Sequence, residues 1–478
     1  MIRTILAATI AAGVVLAPPA GAQQAQLLAR SVLPAETYRA GSPPSGSFLS
    51  AKERETAAAN GIEGPASGPY LPEQPVQGFS SMVPGEAGSW WALSDNGYAW
   101  RDNSADFQLV IYRIDPRFGD RDGPRLLETL VLSDPDRRIP WTIVCDPASG
   151  SRLPDFSFNV LPPKPPACGD DPAARVLTGF DLDPESFVRG PDGTFWIGEE
   201  FGPFLVHVAA DGRLLEPPVP VPGVRSPQNP FLDLGNRKKP ERPTLAASRG
   251  FEGLAISPDG LRLWALLEGA VTGDEAQDLR LYAYDLAQGK LLNGFLRVPL
   301  ELPSQTVNLA TLVDASGARV YPDAVAPPPG PVSIGELKAV NDRQLLLIER
   351  DNLGDDVDAP RFKKIFLIDV SQATRERRVG KTLLLDLLAI PDPAGVGQDG
   401  DFFRLPFYTI ESVHVVNERT LLVASDNNFP FSNGRARSRS ADRGGPLAAD
   451  GTEIVLVRLG AALEADARLS APRRPPRT

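Results

Sequence analysis

Histidine, cysteine and methionine are almost missing from this chain of 478 residues, which has 2 of each. With only His207 and His414 available, a zinc or iron site built on imidazole is disfavoured. Two cysteines do not make a disulfide-dense scaffold. Cys145 and Cys168 lie in a Pro-rich stretch and are expected to pair as one disulfide closing that loop, with free thiols the alternative. Basic residues form no stripe and no nucleic-acid module is visible, so nucleic-acid binding is not expected, and the formal charge of -11 also argues against anionic membrane surfaces. There is no Gly-x-Ser-x-Gly elbow, no Walker loop and no dinucleotide glycine pattern on a strand–helix unit. Long helical periodicity is lacking outside the N-terminus. Apolar runs are short and cut by turn residues, which the 43 glycines and 49 prolines supply in quantity. That is the pattern of an all-β protein.

The N-terminus reads "MIRTILAATIAAGVVLAPPAGAQQ", with one basic residue, an apolar run and a small-residue end at Ala20-Gly21-Ala22. Residues 1–22 are read as a cleaved signal peptide, which sends the chain to the periplasm or the medium. A retained anchor is the alternative, although the run is short for a membrane span. No other segment could cross a bilayer, so no stable membrane insertion is expected after cleavage. The Arg/Pro-rich C-terminus, residues 461–478, is expected to be a disordered tail.

Five stretches repeat one pattern. They begin at Gln77 ("QGFSSMVPGEAGSWWALSDNG"), Asp181 ("DLDPESFVRGPDGTFWIGEEFGP"), Gly250 ("GFEGLAISPDGLRLWALLEG"), Ile334 ("IGELKAVNDRQLLLIERDN") and Thr409 ("TIESVHVVNERTLLVASDNNFP"). Each reads as a strand, a tight turn such as "GPDG" or "SPDG", and a second apolar strand ending in acid or amide groups. Third and fourth strands can be drawn after most copies. Four antiparallel strands per unit, repeated around an axis, predict a β-propeller over residues 70–460 with five to seven blades. The last copy lacks a fourth strand. "QLLARSVLPAETY", within the N-terminal segment 23–69, is a candidate to supply it and close the ring.

Glu185, Glu252, Glu336 and Glu411 are assigned to one repeat position, held in the first copy by Ser80. The innermost strand of a blade lines the channel, so these carboxylates would converge and repel one another unless a cation intervened. Second-strand ends add Asp95, Asn96, Glu199, Glu200, Glu268, Glu349, Asp426, Asn427 and Asn428. Oxygen ligands in such number suit Ca²⁺, with Mg²⁺ or Mn²⁺ open. The metal ligands expected from this pattern are Glu185, Glu252, Glu336, Glu411, Asp95, Glu349, Asp426 and Asn427. The bland alternative is that a glutamate in each repeat merely pins adjacent blades. Glu199 and Glu200 are candidate general bases. Arg249, Lys338 and Arg350 are candidates to clamp an anion, or simply to neutralise the carboxylates beside them.

The stretches "FDLDPESFVRGPDGTFWIGEEFGPFLVHVAADGRLL", "GFEGLAISPDG", "LLLIERDN" and "LLVASDNNFP", in that order, resemble the bacterial esterase-like phytase family, over roughly residues 70 to 460. The resemblance implies a β-propeller with phosphoesterase or esterase activity. It also implies calcium, by analogy with the better-studied β-propeller phytases. The matching positions are Glu185, Glu199, Glu200, Glu252, Glu349, Arg350, Asp351, Glu411, Asp426 and Asn427; Ser80 departs from the pattern. The expectation is an exported, monomeric hydrolase of a small-molecule phosphoric ester. A propeller lactonase or carboxylic esterase and a non-catalytic binding propeller stand as alternatives.

Overall fold

The turn chemistry read from the sequence closes real hairpins. In "GPDG", Gly193 has φ +86° and the Asp192 carboxylate accepts the Thr194 amide at 3.1 Å. In "SPDG", the Ser257 hydroxyl donates to Asp259 and Gly260 has φ +74°. Between such turns, apolar and β-branched residues form strands buried on both faces, as expected where sheets stack against one another. The computed structural model describes residues 25–144, 175–232, 240–313, 317–354, 361–437 and 447–470. Residues 1–22, read as a signal peptide, and the Cys145–Cys168 pair both lie outside the described residues. Among the described residues no helix is long and apolar enough to cross a membrane.

The strands form a five-bladed β-propeller of antiparallel sheets, four with four strands and one whose outer position is shared by two short strands. Blade 1 is Phe79–Pro84, Trp90–Ser94, Val110–Asp115 and Arg125–Val131. Blade 2 is Pro184–Arg189, Phe195–Glu199, Phe204–Val208 and Val219–Pro220. Blade 3 is Phe251–Ile256, Arg262–Leu267 and Asp278–Asp285, with Lys290–Leu291 and Leu296–Pro299 both pairing outside its third strand. Blade 4 is Val332–Ala339, Gln344–Asp351, Lys363–Asp369 and Gly380–Asp386. Blade 5 takes Ser412–Asn417, Thr420–Ala424 and Thr452–Arg458 from the end of the chain and Gln26–Leu33 from its beginning. The first strand of each blade is innermost, and these five strands surround the axis in chain order.

The core lies between blades rather than inside one. Five apolar clusters fill the five gaps, from Leu93 and Ile111 against Phe187 and Ile197 between blades 1 and 2, to Tyr112 and Met82 against Leu422 and Ile454 between blades 1 and 5. A blade therefore cannot bury its faces alone. Ring closure is backbone pairing of Gln26–Leu33 with Thr452–Arg458, reinforced by Arg30, which holds Glu453 at 2.6 and 2.9 Å. Arg435 holds the same carboxylate at 2.8 and 2.9 Å.

Two features fall outside the sequence reading. Residues 34–78 carry a helix, Ala51–Ala59, started by a Ser50/Glu53 capping box. Its Arg54 donates to the carbonyls of Gly46, Leu49, Pro65 and Gly68. The segment packs on Tyr98, Phe107 and Phe429, in loops of blades 1 and 5. The C-terminal end also needs correction, because residues 461–470 are not a loose tail. Leu463 and Leu469 are buried, the Asp466 amide donates to the Val340 carbonyl at 2.8 Å, and Ala467–Ser470 is a helical turn. The apolar pair within "LGAALEADARLS" supplies the burial that offsets ordering.

Candidate functional site

Each of the first four inner strands begins with a β-bulge, and the bulge decides which side chain enters the channel. Pairing skips one residue: Ser80 in blade 1, Glu185 in blade 2, Glu252 in blade 3 and Gly335 in blade 4. Glu411 holds the corresponding place in blade 5, just before Ser412 pairs with Ala424. The expectation that Glu336 shares this position is thus off by one residue. A Cβ at Gly335 would lie 2.1 Å from the Ile410 carbonyl oxygen, so blade 4 has no room for a side chain there. Glu336 sits one step deeper. It pairs with Lys338 at 2.6 Å and accepts the hydroxyls of Ser81 and Ser186, both at 2.5 Å.

The same register sorts the second strands. Asp95, Glu200, Glu268 and Arg350 are equivalent, each one residue beyond the partner of the residue before the bulge, and Asp426, two residues beyond the partner of Ser412, holds the same place in blade 5. Glu349 falls one residue earlier than Arg350 and is turned away, held by Lys381 at 2.7 Å and the Glu301 amide at 2.6 Å. Glu199 is likewise spent on structure, accepting the Phe201 and Gly202 amides at 2.7 and 2.8 Å. Asn427 is used by backbone at both ends of its amide, through Gly78 and the Asp450 carbonyl. Asp351 accepts the Arg361 and Phe362 amides. None of Glu336, Glu349, Glu199 and Asn427 joins the acidic cluster.

What does converge at one end of the channel is a group of acids: Glu185, Glu252 and Glu411 from the bulges, Asp95, Glu200, Glu268 and Asp426 from the second strands, and Asp183, all buried except the partly exposed Glu185 and Asp95. Two sets of three place carboxylate oxygens within 4.8 Å of one another, Asp183–Glu185–Glu200 and Glu200–Glu252–Glu268. Close backbone packing sets the shared member, since a Cβ on Gly250 would come within 2.4 Å of the Glu200 Cα. Asp183 was missed from the sequence; it lies two residues ahead of Glu185 in "DLDPES", just before the strand. Two guanidiniums answer the negative charge. Arg249 pairs with Glu268, and Arg350 reaches Glu411 at 3.1 Å, Glu252 at 3.4 Å and Glu268 at 3.5 Å. Lys338 is not among them. Its ammonium lies deeper, between Glu336, Ser81, Ser186 and the Leu254 carbonyl.

Burial drives the electrostatics. It lifts Asp183 to about 6 and Glu411 to about 8, and it raises Glu185, Glu200, Glu252 and Asp95 well above the carboxylate range, helped by neighbouring acids. Glu199 is also pushed up to about 8 by burial. Carboxyls in this state either hold protons or await a cation. Glu200 is only 3% exposed and its Oε1 has no hydrogen-bond donor; the buried Asp183 Oδ1 has none either. Orphaned acceptors on hard oxygen ligands fit a divalent cation. Both histidines lie elsewhere. His414 is edge-on to Trp90 in blade 5, and His207 stacks on Trp196 between Glu216 and Thr194.

Fold and site together define a five-bladed propeller whose axial channel opens on buried acids able to hold a cation. The chain belongs to the phytase-like family, described by the esterase-like activity of phytase, whose model matches residues 74–429. It is 27% identical over 283 residues to an uncharacterized secreted protein of Arthroderma benhamiae, a match covering 50% of this chain and 52% of that protein. The chain thus matches about half the length of that relative. Among solved structures it is similar to a luciferin-regenerating enzyme (11% identity, 78% of this chain and 76% of that one, TM-score 0.31). It is also similar to regucalcin of Agrobacterium tumefaciens, a calcium-binding protein (10% identity, 80% and 90%, TM-score 0.32). At these scores neither structure carries an argument about this site.

Proposed function

We propose that the protein is an exported, cation-dependent hydrolase of small-molecule phosphoric esters, with Ca²⁺ the favoured ion and Mg²⁺ or Mn²⁺ the alternatives. The observation that carries this reading is Glu200: buried, orphaned at Oε1 and common to both carboxylate triads. Family membership supports ester chemistry, and the N-terminal stretch with the secreted relative supports export. A bound cation would supply Lewis acidity and charge neutralisation toward a phosphoryl oxygen. The chain's own groups have separate tasks. Glu200 would help to hold the cation and, as the carboxylate that a bound cation maintains, accept a proton from the attacking water. Arg249, whose side chain is 24% exposed, orients the ester's anionic group at the mouth. Arg350 and Lys338, 5% and 3% exposed at their side chains, serve as internal counter-ions.

One observation favours a carboxylic ester or lactone as substrate instead. Arg249 and Arg350 are already ion-paired and Lys338 is enclosed, which leaves little free positive charge for a phosphate. The test is turnover of calcium-loaded and chelated protein on phosphomonoester, phosphodiester, lactone and acyl ester substrates. Calcium-dependent hydrolysis confined to phosphoric esters supports the proposal. Hydrolysis confined to carboxylic esters overturns the substrate class, and no hydrolysis of any overturns the enzyme.

A further inference from the structure

The acidic cluster offers two triads, but they are not equivalent. Glu200–Glu252–Glu268 already has its cations. Glu268 is ion-paired to Arg249 through Oε2 and accepts the Ser333 hydroxyl through Oε1, and Arg350 lies between Glu252 and Glu268. A metal ion there would sit against two guanidiniums and would compete for oxygens already bonded. Among the described residues no arginine or lysine makes an ion pair with Asp183, Glu185 or Glu200, although Arg249 is near enough to Glu200 for its charge to be felt. The partners of this triad are uncharged donors and one another: the Ser248 hydroxyl reaches Asp183 Oδ2 at 3.3 Å, and the Asp183 carboxyl also meets the Glu185 carboxyl and the Asn96 backbone. Here too are the two orphaned acceptors, Asp183 Oδ1 and Glu200 Oε1, on side chains 2% and 3% exposed. Opposed oxygens on one Ca²⁺ stand roughly 5 Å apart, twice the usual ligand distance. The oxygens this triad offers all lie within 4.8 Å of one another, inside that reach.

We infer that the protein binds one divalent cation in this cluster, at Asp183–Glu185–Glu200, and that the Glu252–Glu268 side is closed to metal because Arg249 and Arg350 stand in for it. The inference rests on the cation-dependent reading above and narrows it to three ligands. It makes Asp183 a ligand and Glu268 an arginine-holding residue.

The test is calorimetric titration of chelator-treated, full-length mature protein with calcium chloride, beside melting curves in chelator. One calcium per chain is expected. Asp183→Asn and Glu185→Gln should each weaken binding by at least about 100-fold, the upper end of what losing even a ligand's supporting partner costs. Glu268→Gln, which removes a neighbouring charge but no ligand, should weaken it by no more than about tenfold. Melting in chelator identifies any variant that has not folded; Asp183→Asn and Glu185→Gln are alternatives to each other for that reason. Two calcium ions per chain, or a loss with Glu268→Gln matching that with Asp183→Asn, overturns this assignment and leaves the hydrolase reading standing. No binding of calcium, magnesium or manganese by the native chain overturns both. Binding as expected with no turnover overturns only the hydrolase reading.

Discussion

Blades 2 and 4 fill the same two backbone positions with different chemistry. At the bulge and at the second-strand end, blade 2 presents Glu185 and Glu200, whereas blade 4 presents Gly335 and Arg350. Steric room explains the first exchange, since the Ile410 carbonyl leaves no space for a side chain at Gly335. Charge explains the second: Arg350 reaches three glutamates from the neighbouring blades. A repeat fold thus sets positions rather than chemistry. Blade 4 puts a cation at the second-strand end, so that the acids of its neighbours can stay together.

The largest effect should come from removing the exception. Arg350→Met leaves Glu252, Glu268 and Glu411 without their shared cation, and breaking a buried pair in this way costs about 3–5 kcal/mol. Lys338→Met breaks the deeper pair with Glu336 at a similar cost. The two should differ in rescue, with calcium restoring part of the loss in Arg350→Met and none in Lys338→Met. Urea unfolding with calcium and with chelator reads this. Equal rescue would erase the distinction between the two layers of the channel.

Next is Glu200→Gln, which should lower turnover on the order of a hundredfold or more. In chelator its melting temperature should hold or rise, because a buried acid among acids has gone. A fall in stability with unchanged turnover would make Glu200 a blade-pinning residue.

The pH dependence of the metal-free protein sharpens the comparison further. Asp183 titrates near 6 and Glu411 and Glu199 near 8 in the folded chain, against about 4 when unfolded. Between those values the folded state holds more protons. The stability these three groups contribute should therefore be full below about pH 4 and fall progressively toward pH 8, while the lowered carboxyls Glu453 and Asp466 act only in more acid solution. Calcium should flatten that fall. Melting curves between pH 5 and 8 in chelator check it, and a metal-free protein that gains stability over this range would contradict the buried cluster.

The smallest effect separates two adjacent residues. Glu199→Gln loses one acceptor for the Phe201 and Gly202 amides and should cost about 1–3 kcal/mol, with calcium affinity unchanged. Titration and unfolding of this variant beside Glu200→Gln would show whether neighbours in sequence do different work.

The architecture was legible because every hairpin carries its own turn residues, and because one repeat lacked a strand that "QLLARSVL" matches. The site was legible only in part. Blade 3 reads Phe251-Glu252-Gly253 where blade 4 reads Ile334-Gly335-Glu336, and matching glutamate to glutamate hides the exchange. Alignment on the apolar residue before the bulge would have exposed it and placed Arg350 opposite Glu200. No such signal marks Asp183, since burial and approach to Glu200 arise from how blades stack. The order of residues 34–78 was equally hidden, because their partners at Phe107 and Phe429 come from distant loops.

The closing strand has a consequence for how the ring comes into being. Arg30 and Glu453 are 423 residues apart in sequence, yet they share one ladder. The strand made first during synthesis must wait for the strand made last. Until then four blades form an open arc with a raw sheet edge, and loop closure across nearly the whole chain stands late on the folding path. That interval is when an unpaired edge invites pairing with a second chain, so the yield of closed rings should depend on how crowded the nascent chains are.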